Sequence, residues 1–509
     1  MRRVTFVFVI AALGALVTAP ACTTSGPEPR TVRSADSIRR VTPRRPSPPR
    51  RLSARARQAF VKLGREVRRT LAAARRRGGD WTRSTCTRVA VGFGRLARDH
   101  AREPQAVARA RFNQGVAWSR CGLRSKARAA YQAAVRSVPG YAPALVNLAE
   151  VDARAGRHRL ALRGLLAAFG AAPGNLDVSY NLAVVLERRA RGSDAAPPAL
   201  IRYWRGLKFN PKSAFDLCEL HLRMVMAKSS AGTGMAAATL NLKAYNLLAL
   251  LYFQRSKIRA HRSKRMLARL VLAEALKVLE RREVRGRFCK RPGRPTPFDR
   301  AVAALRNVNG LILLDQRRLV DAMQRFEGAL RCDASLVGAH MNRAAIALGF
   351  RGYWIAHDSF GQVLARQPKN VDAVIGLGVA YRGIATAPAE KGRPKRRADH
   401  WYRLAALQYK KGLAIRATAA DALYNLAHLH MDYLNDRVAA GTWFSRYLGL
   451  ASKHTSAEGR KYAREQLTEI AYQDSVYCRM VTPVAKRRAC RRSAAARQAR
   501  WRVIQGGGK

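Results

Sequence analysis

The stretch that decides the fold is residues 108–175, which read ARARFNQGVAWSRCGLRSKARAAYQAAVRSVPGY over 108–141 and APALVNLAEVDARAGRHRLALRGLLAAFGAAPGN over 142–175. Written one above the other, these two blocks of thirty-four residues align, and a third block through Ser213 continues the pattern. The shared columns are Asn113/Asn147/Asn181, Arg120/Arg154/Arg188, Gly122/Gly156, Ala127/Ala161 and Pro139/Pro173. A fixed period of this length is typical of a helix–turn–helix repeat array, so the sequence predicts an all-α fold.

Small and large residues recur at fixed places within each block. In the first block Gly115 and Trp118 lie on the first helix, Tyr131 lies on the second, and Pro139 ends that helix. The matching residues are Leu148, Ala149, Ala161, Leu165, Ala168 and Pro173 in the second block, and Leu182, Ala183, Ala199, Tyr203, Gly206 and Pro211 in the third. This signature resembles the tetratricopeptide repeat. The resemblance implies a superhelical α-solenoid of antiparallel helix pairs, with the first helix of each pair on the concave face.

The repeat pattern continues with interruptions to about Ala451, for example at Gly310 and Phe326 and again at Gly378 and Tyr409. The predicted segments are a signal peptide over 1–21, a basic tether over 22–79, a covering helix with three repeats over 80–213, irregular helical pairs over 214–300, repeats with one insertion over 301–451, a capping helix over 452–475 and a basic tail over 476–509. We expect the tail to be mobile, because it is basic and ends in three glycines.

The N-terminus has the pattern of an export signal. Basic Arg2 and Arg3 precede an apolar run over 4–17, which is too short to span a membrane comfortably. Small residues then lead to Cys22, and this ending resembles a bacterial lipobox, although Ala19 stands where Leu is usual. The resemblance implies a lipidated Cys22 in the outer membrane, facing the periplasm. The alternative is ordinary cleavage after Ala21, which would leave a free thiol.

The tether is rich in Pro, Arg and Ser, and its first part is predicted to be disordered. From Ser53 the prolines stop, and Phe60, Leu63, Val67 and Leu71 recur at helical spacing among arginines. Two interpretations of this amphipathic helix stay open. It either adheres to anionic headgroups beside the lipid anchor or serves as a spacer.

The formal charge of +64 is extreme for 509 residues. One interpretation is an anionic partner, such as nucleic acid, anionic lipid or an acidic polymer. The other is coding bias towards Arg, with the side chains spread over solvated helix faces. For the folded part we favour the second interpretation, because the basic residues are not confined to one stripe.

Seven cysteines remain when Cys22 is set aside, and an exported protein can hold disulfides. The pair that we favour most joins Cys86 on the covering helix to Cys121 at the end of the next helix. Cys478 and Cys490 are close in sequence and form a second candidate pair. Cys289 and Cys332 flank a repeat and form a weaker third pair, with Cys218 left buried and reduced. The alternative is that all seven are buried thiols.

Catalytic and metal-binding motifs are absent from the sequence. It contains no phosphate-binding loop, no Gly-x-Ser-x-Gly and no His-Glu-x-x-His, and His428 and His430 are two apart, on different faces of a helix. We therefore predict no enzymatic activity, no metal and no cofactor.

The predicted binding site is the concave groove. Spacings of four along each first helix put one stripe of side chains there, namely Phe112, Val116 and Arg120, then Val146, Glu150 and Arg154, then Tyr180, Val184 and Arg188. A ladder of guanidiniums in this groove predicts a grip on an acidic or C-terminal peptide. The alternative is that arginine is found at these helix ends only because its charge interacts favourably with the helix dipole. The Asn column we interpret as structural.

These features together predict a lipid-anchored periplasmic scaffold that binds protein partners of a cell-envelope machine. The chain resembles the tetratricopeptide lipoproteins of bacterial gliding-motility complexes in its anchor, its repeats and its cysteines. A lipoprotein that assists pilus or outer-membrane protein assembly is an alternative in the same class. A polyanion-binding helical-repeat protein is an alternative of another class, although the export signal argues against intracellular nucleic acid as its partner.

Overall fold

The structure is a computed structural model that describes residues 52–76, 81–192, 194–232, 234–258, 261, 263–280, 286, 288–290, 293–387, 395–450, 454–480 and 484–506. The predicted signal peptide, Cys22 and the first part of the tether lie outside the described residues. The chain divides into two compact units, an N-terminal unit within Ala19–Phe288 and a C-terminal unit within Cys289–Lys509. Each unit is described by itself below.

The N-terminal unit is built from helices packed in antiparallel pairs. Its helices are α1 (Ala54–Arg76), α2 (Arg83–Asp99), α3 (Pro104–Arg120), α4 (Arg124–Ser137), α5 (Ala142–Arg154), α6 (His158–Ala171), α7 (Leu176–Gly192), α8 (Pro198–Gly206), α9 (Ala214–Ser230), α10 (Met235–Arg255) and α11 (Lys264–Leu279). The principal pairs are α3 with α4, α5 with α6, α7 with α9 and α10 with α11, and α2 packs along α3 ahead of them.

The C-terminal unit repeats the same plan. Its helices are α12 (Pro297–Asp315), α13 (Leu319–Cys332), α14 (Val337–Gly349), α15 (Tyr353–Arg366), α16 (Val371–Thr386), α17 (Lys395–Ile415), α18 (Ala420–Asp432), α19 (Arg437–Leu448), α20 (Ala457–Met480) and α21 (Val484–Gly506). Successive helices from α12 to α19 form four pairs, and α20 and α21 pack against the last of them. The described residues contain no strand. The predicted fold class, an all-α solenoid of the tetratricopeptide type, is confirmed.

In several pairs, a glycine of the first helix lies against an aromatic ring of the second. A Cβ on Gly115 of α3 would lie 2.5 Å from the ring of Tyr131 on α4, and one on Gly310 of α12 would lie 2.5 Å from the ring of Phe326 on α13. These rings are almost completely buried. Because only hydrogen fits between ring and backbone, this contact sets the spacing of the pair.

The third predicted repeat is wrong in its pairing. The sequence assigned residues 198–206 as the partner of α7, whereas α7 packs along α9. The short helix α8 instead buries Trp204, whose indole N–H donates to Nε2 of His221 on α9 at 3.2 Å. Complete burial lowers the pKa of His221 to about 3, so the ring is neutral and can accept this bond. The four extra residues before α8 allow this departure from the period.

The predicted amphipathic helix exists as α1, and its apolar face is already covered. Phe60 and Leu63 pack against Leu96, and Arg109 of α3 lies over the Phe60 ring with its guanidinium carbon 5.2 Å from the ring centroid. The hydroxyl of Ser53 donates to Glu103 at 2.9 Å. This face is therefore not available for insertion between lipids. Among the described residues, no helix is both long and apolar enough to cross a membrane.

The basic tail predicted over 476–509 is corrected by the structure, since its described residues form the end of α20 and the helix α21. Trp501 is 5% exposed and packs against Gly441 of α19. Arg497 pairs with Asp474 of α20 at 2.8 Å. Ala494 and Trp501 are buried, whereas Val503 is exposed, so α21 docks through a few residues within a strongly basic stretch that did not itself predict docking.

The glycine–ring contact predicts a selective cost in stability. Gly310→Ala should lower the free energy of unfolding of the full chain by about 2 kcal/mol, because the added methyl must displace the Phe326 ring. Gly361→Ala is the matched control within the same unit, since its Cβ would meet nothing within 4 Å and alanine favours helix. Urea unfolding followed by circular dichroism measures both. Equal stability of the two variants would contradict this account.

Candidate functional site

A cavity of about 440 Å³ lies in the N-terminal unit where α3, α4 and α5 meet. Its lining is mostly polar. Its lining residues are Val116, Ser119, Arg120, Gly122, Arg124, Tyr131, Asn147, Glu150, Val151 and Arg154. This cavity is the candidate binding site.

Helix ends bring three guanidiniums to this cavity. Arg120 is the last residue of α3, and Arg154 is the last residue of α5. Gly122 has a φ of +72°, which lets the chain reverse at once into α4, so that Arg124 begins the next helix beside Arg120. The period thus places Arg120 and Arg154 one repeat apart, and the tight turn adds Arg124.

The floor of the cavity is Tyr131, whose ring is the one that contacts Gly115. The side-chain N–H of Asn147 donates to the Tyr131 hydroxyl at 3.2 Å, which ties α4 to α5. Burial raises the pKa of Tyr131, and the hydrogen bond from Asn147 opposes this only in part, so the phenol stays protonated. Its hydroxyl proton is therefore a hydrogen-bond donor at neutral pH.

The cavity carries a net positive charge, because three guanidiniums face a single carboxylate among its lining residues. That carboxylate belongs to Glu150, which pairs with Arg154 one turn away at 2.5 Å. Both side chains are at least half exposed, so water weakens this pair and it contributes little to stability. Planar guanidiniums match the two oxygens of a carboxylate or phosphate group, so the arrangement is suited to binding an anion.

The structure brings together four of the nine groove residues predicted from the sequence: Val116, Arg120, Glu150 and Arg154. The remaining five, Phe112, Val146, Tyr180, Val184 and Arg188, do not line this cavity. Phe112 packs between Tyr131 and Tyr141, with its ring centroid 6.0 and 5.9 Å from theirs. Tyr180 is partly buried, and burial raises its pKa to about 12. Arg188 is exposed near the end of α7, and α7 contributes no residue to this cavity.

Sequence reasoning missed the contributions of Arg124, Ser119 and Tyr131 to this cavity. Arg124 lies two residues after the Gly122 column, and that column signals a tight turn that presents the start of the next helix. The repeat pattern indicated Tyr131 only as a packing residue of the second helix. Asn147 was interpreted as structural, and its bond to Tyr131 agrees with that role while also placing it in the cavity wall.

The structure joins the same cysteines that the sequence pairs. Cys86 is bonded to Cys121, Cys289 to Cys332 and Cys478 to Cys490, with Cα atoms 6.3, 4.1 and 5.5 Å apart. Cys218 is a buried free thiol whose S–H donates to the carbonyl oxygen of Ala183 at 3.3 Å. Burial, with Glu187 and Glu219 nearby, raises the pKa of Cys218 well above the usual range of a thiol.

The two neighbouring histidines serve local contacts. His428 stacks on Tyr462 with ring centroids 4.7 Å apart and pairs with Asp432 at 3.0 Å. His430 approaches Asp436 at 3.4 Å. Within the described part of the chain, no three His, Cys, Asp or Glu side chains come together in a way that could hold a metal ion.

Comparison with known proteins yields fold neighbours alone. No family model and no curated protein match the chain. A tetratricopeptide repeat protein from Parabacteroides merdae is 15% identical and matches over 57% of this chain and 99% of its own, with a TM-score of 0.32. A monomeric mutant of IFIT1 with Gppp-AAAA is 12% identical over 78% and 82%, with a TM-score of 0.40. The human IFIT1 dimer with m7Gppp-AAAA is 13% identical over 71% and 77%, with a TM-score of 0.36. All three TM-scores fall below 0.5, so these likenesses carry no conclusion about this chain.

The cysteine arrangement predicts a simple labelling result. At pH 8 without denaturant, iodoacetamide should label no cysteine among residues 81–506, because six are in disulfides and Cys218 is buried with a raised pKa. Unfolding without reductant should expose one thiol, and Cys218→Ala should remove it. Peptide mapping under non-reducing conditions identifies the pairs. Native labelling of Cys86 and Cys121 would contradict the first disulfide.

Proposed function

We propose that this chain is a lipid-anchored helical-repeat scaffold of the cell envelope that binds an acidic segment of a protein partner in the cavity between α3, α4 and α5. The observation that carries the proposal is the convergence of Arg120, Arg124 and Arg154 on that cavity. We propose no catalytic role and no cofactor. The partner's identity as a component of a gliding-motility complex, or of pilus or outer-membrane protein assembly, remains a hypothesis within this class.

The dimensions of the cavity favour a short segment over a folded domain. A volume of about 440 Å³ lies in the range of sites that enclose a few side chains or a small ligand. An acidic side chain or a terminal carboxylate would meet the Arg120 and Arg124 guanidiniums at the helix ends. The Tyr131 hydroxyl below supplies a neutral donor that does not repel an anion.

Glu150 gives the cavity a means of discrimination. It pairs with Arg154, so an incoming carboxylate must share that guanidinium with it. Repulsion from Glu150 penalises charge that an anion places inside the cavity beyond what the three guanidiniums can neutralise, and does not act on charge that stays in solvent outside it. A discrete acidic segment fits this arrangement better than a continuous polyanion does.

The anchored location rests on two further features. Three disulfides favour an oxidising compartment, as expected after export. The outward face of α1 carries exposed basic residues at seven-residue spacing, namely Arg55, Lys62, Arg69 and Arg76. Because the apolar face of α1 is packed on the unit, we propose that this stripe touches anionic headgroups without insertion, close to an acyl chain on Cys22.

A polyanion binder is the second candidate function, and the α1 stripe is the observation that favours it. Such a protein would bind any strongly negative polymer through its charge alone. Its affinity would fall steeply with salt and would depend little on which arginine is removed.

The groove proposal predicts a difference between residues of the same sequence column. A fluorescent pentaglutamate peptide should bind the full chain, and Arg120→Ala with Arg154→Ala should weaken binding at least about tenfold, because two charge-assisted contacts are lost. Arg188→Ala is the matched control and should change the affinity less than about twofold. Fluorescence anisotropy at two salt concentrations measures this.

The control also separates the two candidate functions. If Arg188→Ala weakens peptide binding as much as Arg120→Ala with Arg154→Ala does, the cavity is not the binding site. If a single-stranded oligonucleotide of equal charge binds as tightly as the peptide to every variant, the polyanion binder is the better account.

The anchor predicts a fractionation result. The wild-type chain should be recovered in the outer-membrane fraction without its first twenty-one residues, and Cys22→Ser should release it, because the acyl chain needs the thiol. Recovery of a soluble cytoplasmic chain with an intact N-terminus would refute the anchored scaffold without affecting the groove.

A further inference from the structure

One disulfide of the C-terminal unit has a guanidinium against its sulfur. Nη1 of Arg306 on α12 donates to Sγ of Cys332 at 3.0 Å and lies 4.0 Å from Sγ of Cys289. The same nitrogen donates to the carbonyl oxygen of Gly328 at 2.8 Å, which fixes the guanidinium in place. The Cys86–Cys121 bond has a different environment, because Sγ of Cys121 lies 3.3 Å from the carbonyl oxygen of Trp81.

The two sulfurs of this disulfide differ in their access to solvent. Cys332 is the last residue of α13 and is completely buried. Cys289 is partly exposed and precedes α12 with a φ of +60°, a left-handed conformation that residues with a Cβ rarely adopt. Its backbone N–H donates to Oδ1 of Asp299 at 2.6 Å, which holds it beside the start of α12. A reagent from solvent therefore reaches Cys289 before it reaches Cys332.

We propose that Cys289–Cys332 is a thiol–disulfide exchange site for a dithiol reductant, with Cys289 as the attacked sulfur and Cys332 as the leaving thiolate. A thiolate of the reductant forms a bond to Sγ of Cys289, and the Cys289–Cys332 bond breaks with its electron pair going to Sγ of Cys332. The second thiol of the reductant loses its proton and attacks the other sulfur of the reductant, which is bonded to Cys289 in the mixed disulfide. This releases the Cys289 thiolate, which takes up a proton. The Cys332 thiolate takes up the proton that the first thiol of the reductant had lost, so the reductant is oxidised to its disulfide by two electrons and the protein gains two thiol groups.

Arg306 determines the direction of the exchange. A thiol with a lower pKa leaves faster, and a cation that donates to sulfur lowers that pKa. Burial, with Arg331 and Arg325 nearby, lowers the pKa of Arg306, but a guanidinium begins so high that it stays charged at neutral pH. Cys218 offers the opposite case within this chain, because burial and then its carboxylate neighbours Glu187 and Glu219 raise its pKa and disfavour the thiolate.

Reduction at this site would break one covalent link and leave the C-terminal unit folded. The segment before α12 would lose its covalent link to the end of α13. The α12–α13 pair would remain, because the Gly310–Phe326 contact and the Thr296–Asp299 capping box do not involve sulfur. The exchange would therefore change the freedom of the segment around Cys289 and leave the repeat fold in place.

The test is timed reduction of the full chain with limiting dithiothreitol, followed by acid quench, alkylation and peptide mapping. Arg306→Gln should slow reduction of Cys289–Cys332 about tenfold, as expected for a change of about two units in the leaving thiol's pKa at a Brønsted coefficient near 0.5. Arg306→Lys should restore most of the rate, because it retains the charge. The Cys478–Cys490 bond is the internal reference and should be reduced at one rate in all three proteins. When glutathione replaces dithiothreitol, it should be trapped as a mixed disulfide on Cys289.

A second measurement does not depend on the Arg306 variants. In Cys289→Ser the ultraviolet absorbance of the Cys332 thiolate, taken as the difference from the same variant with Cys332→Ser added, should give a thiol pKa at least one unit below the ordinary 8.5 or so. An unchanged rate in Arg306→Gln, equal slowing of Cys478–Cys490, glutathione on Cys332 or a Cys332 pKa at or above the ordinary value would each overturn the proposal.

Discussion

The structure depends on a close contact between a glycine on the first helix of a pair and an aromatic ring on the second. Gly115 meets Tyr131 in this way, Gly310 meets Phe326, and Gly378 meets Tyr409. The missing Cβ lets the ring lie against the helix backbone, which fixes the distance between the helices and buries the ring completely. In the first pair, the Tyr131 hydroxyl also reaches Asn147 of the next pair. The residue that holds one repeat together is thus the floor of the cavity between two repeats.

The binding chemistry follows from the same geometry. Arginine at the end of a helix is favoured by the helix dipole, and at Arg120 and Arg154 that local preference coincides with the mouth of the cavity. Structural and binding roles are therefore not alternatives at these positions. Arg188 has the same place in the sequence period but lies on a helix with a different partner. Membership of the site is decided by which helices pack together, and a sequence column alone does not decide it.

Much of the architecture could be predicted from residues, and the exceptions have physical causes. The period fixed the fold class, because helix pairs that pack only on their neighbours must repeat their small and large positions. The placement of α8 could not be predicted, since Trp204 of α8 binds His221 of α9, a contact between residues with no periodic relation. The docking of α21 depends on Trp501 and a few small residues within a basic stretch. Arg124 reaches the cavity because the chain turns tightly at Gly122, whose φ is positive, and amino-acid composition does not reveal this backbone conformation.

The central claim is that an acidic segment binds where α3, α4 and α5 meet. Hydrogen–deuterium exchange of the full chain with and without the pentaglutamate peptide tests this claim most directly, because it reports the location of binding on the unmodified protein. The account predicts slower exchange at the end of α3, the start of α4 and the end of α5, with no change at the end of α7. Slower exchange along α1 or spread evenly over the basic helices, with none around the cavity, would contradict it.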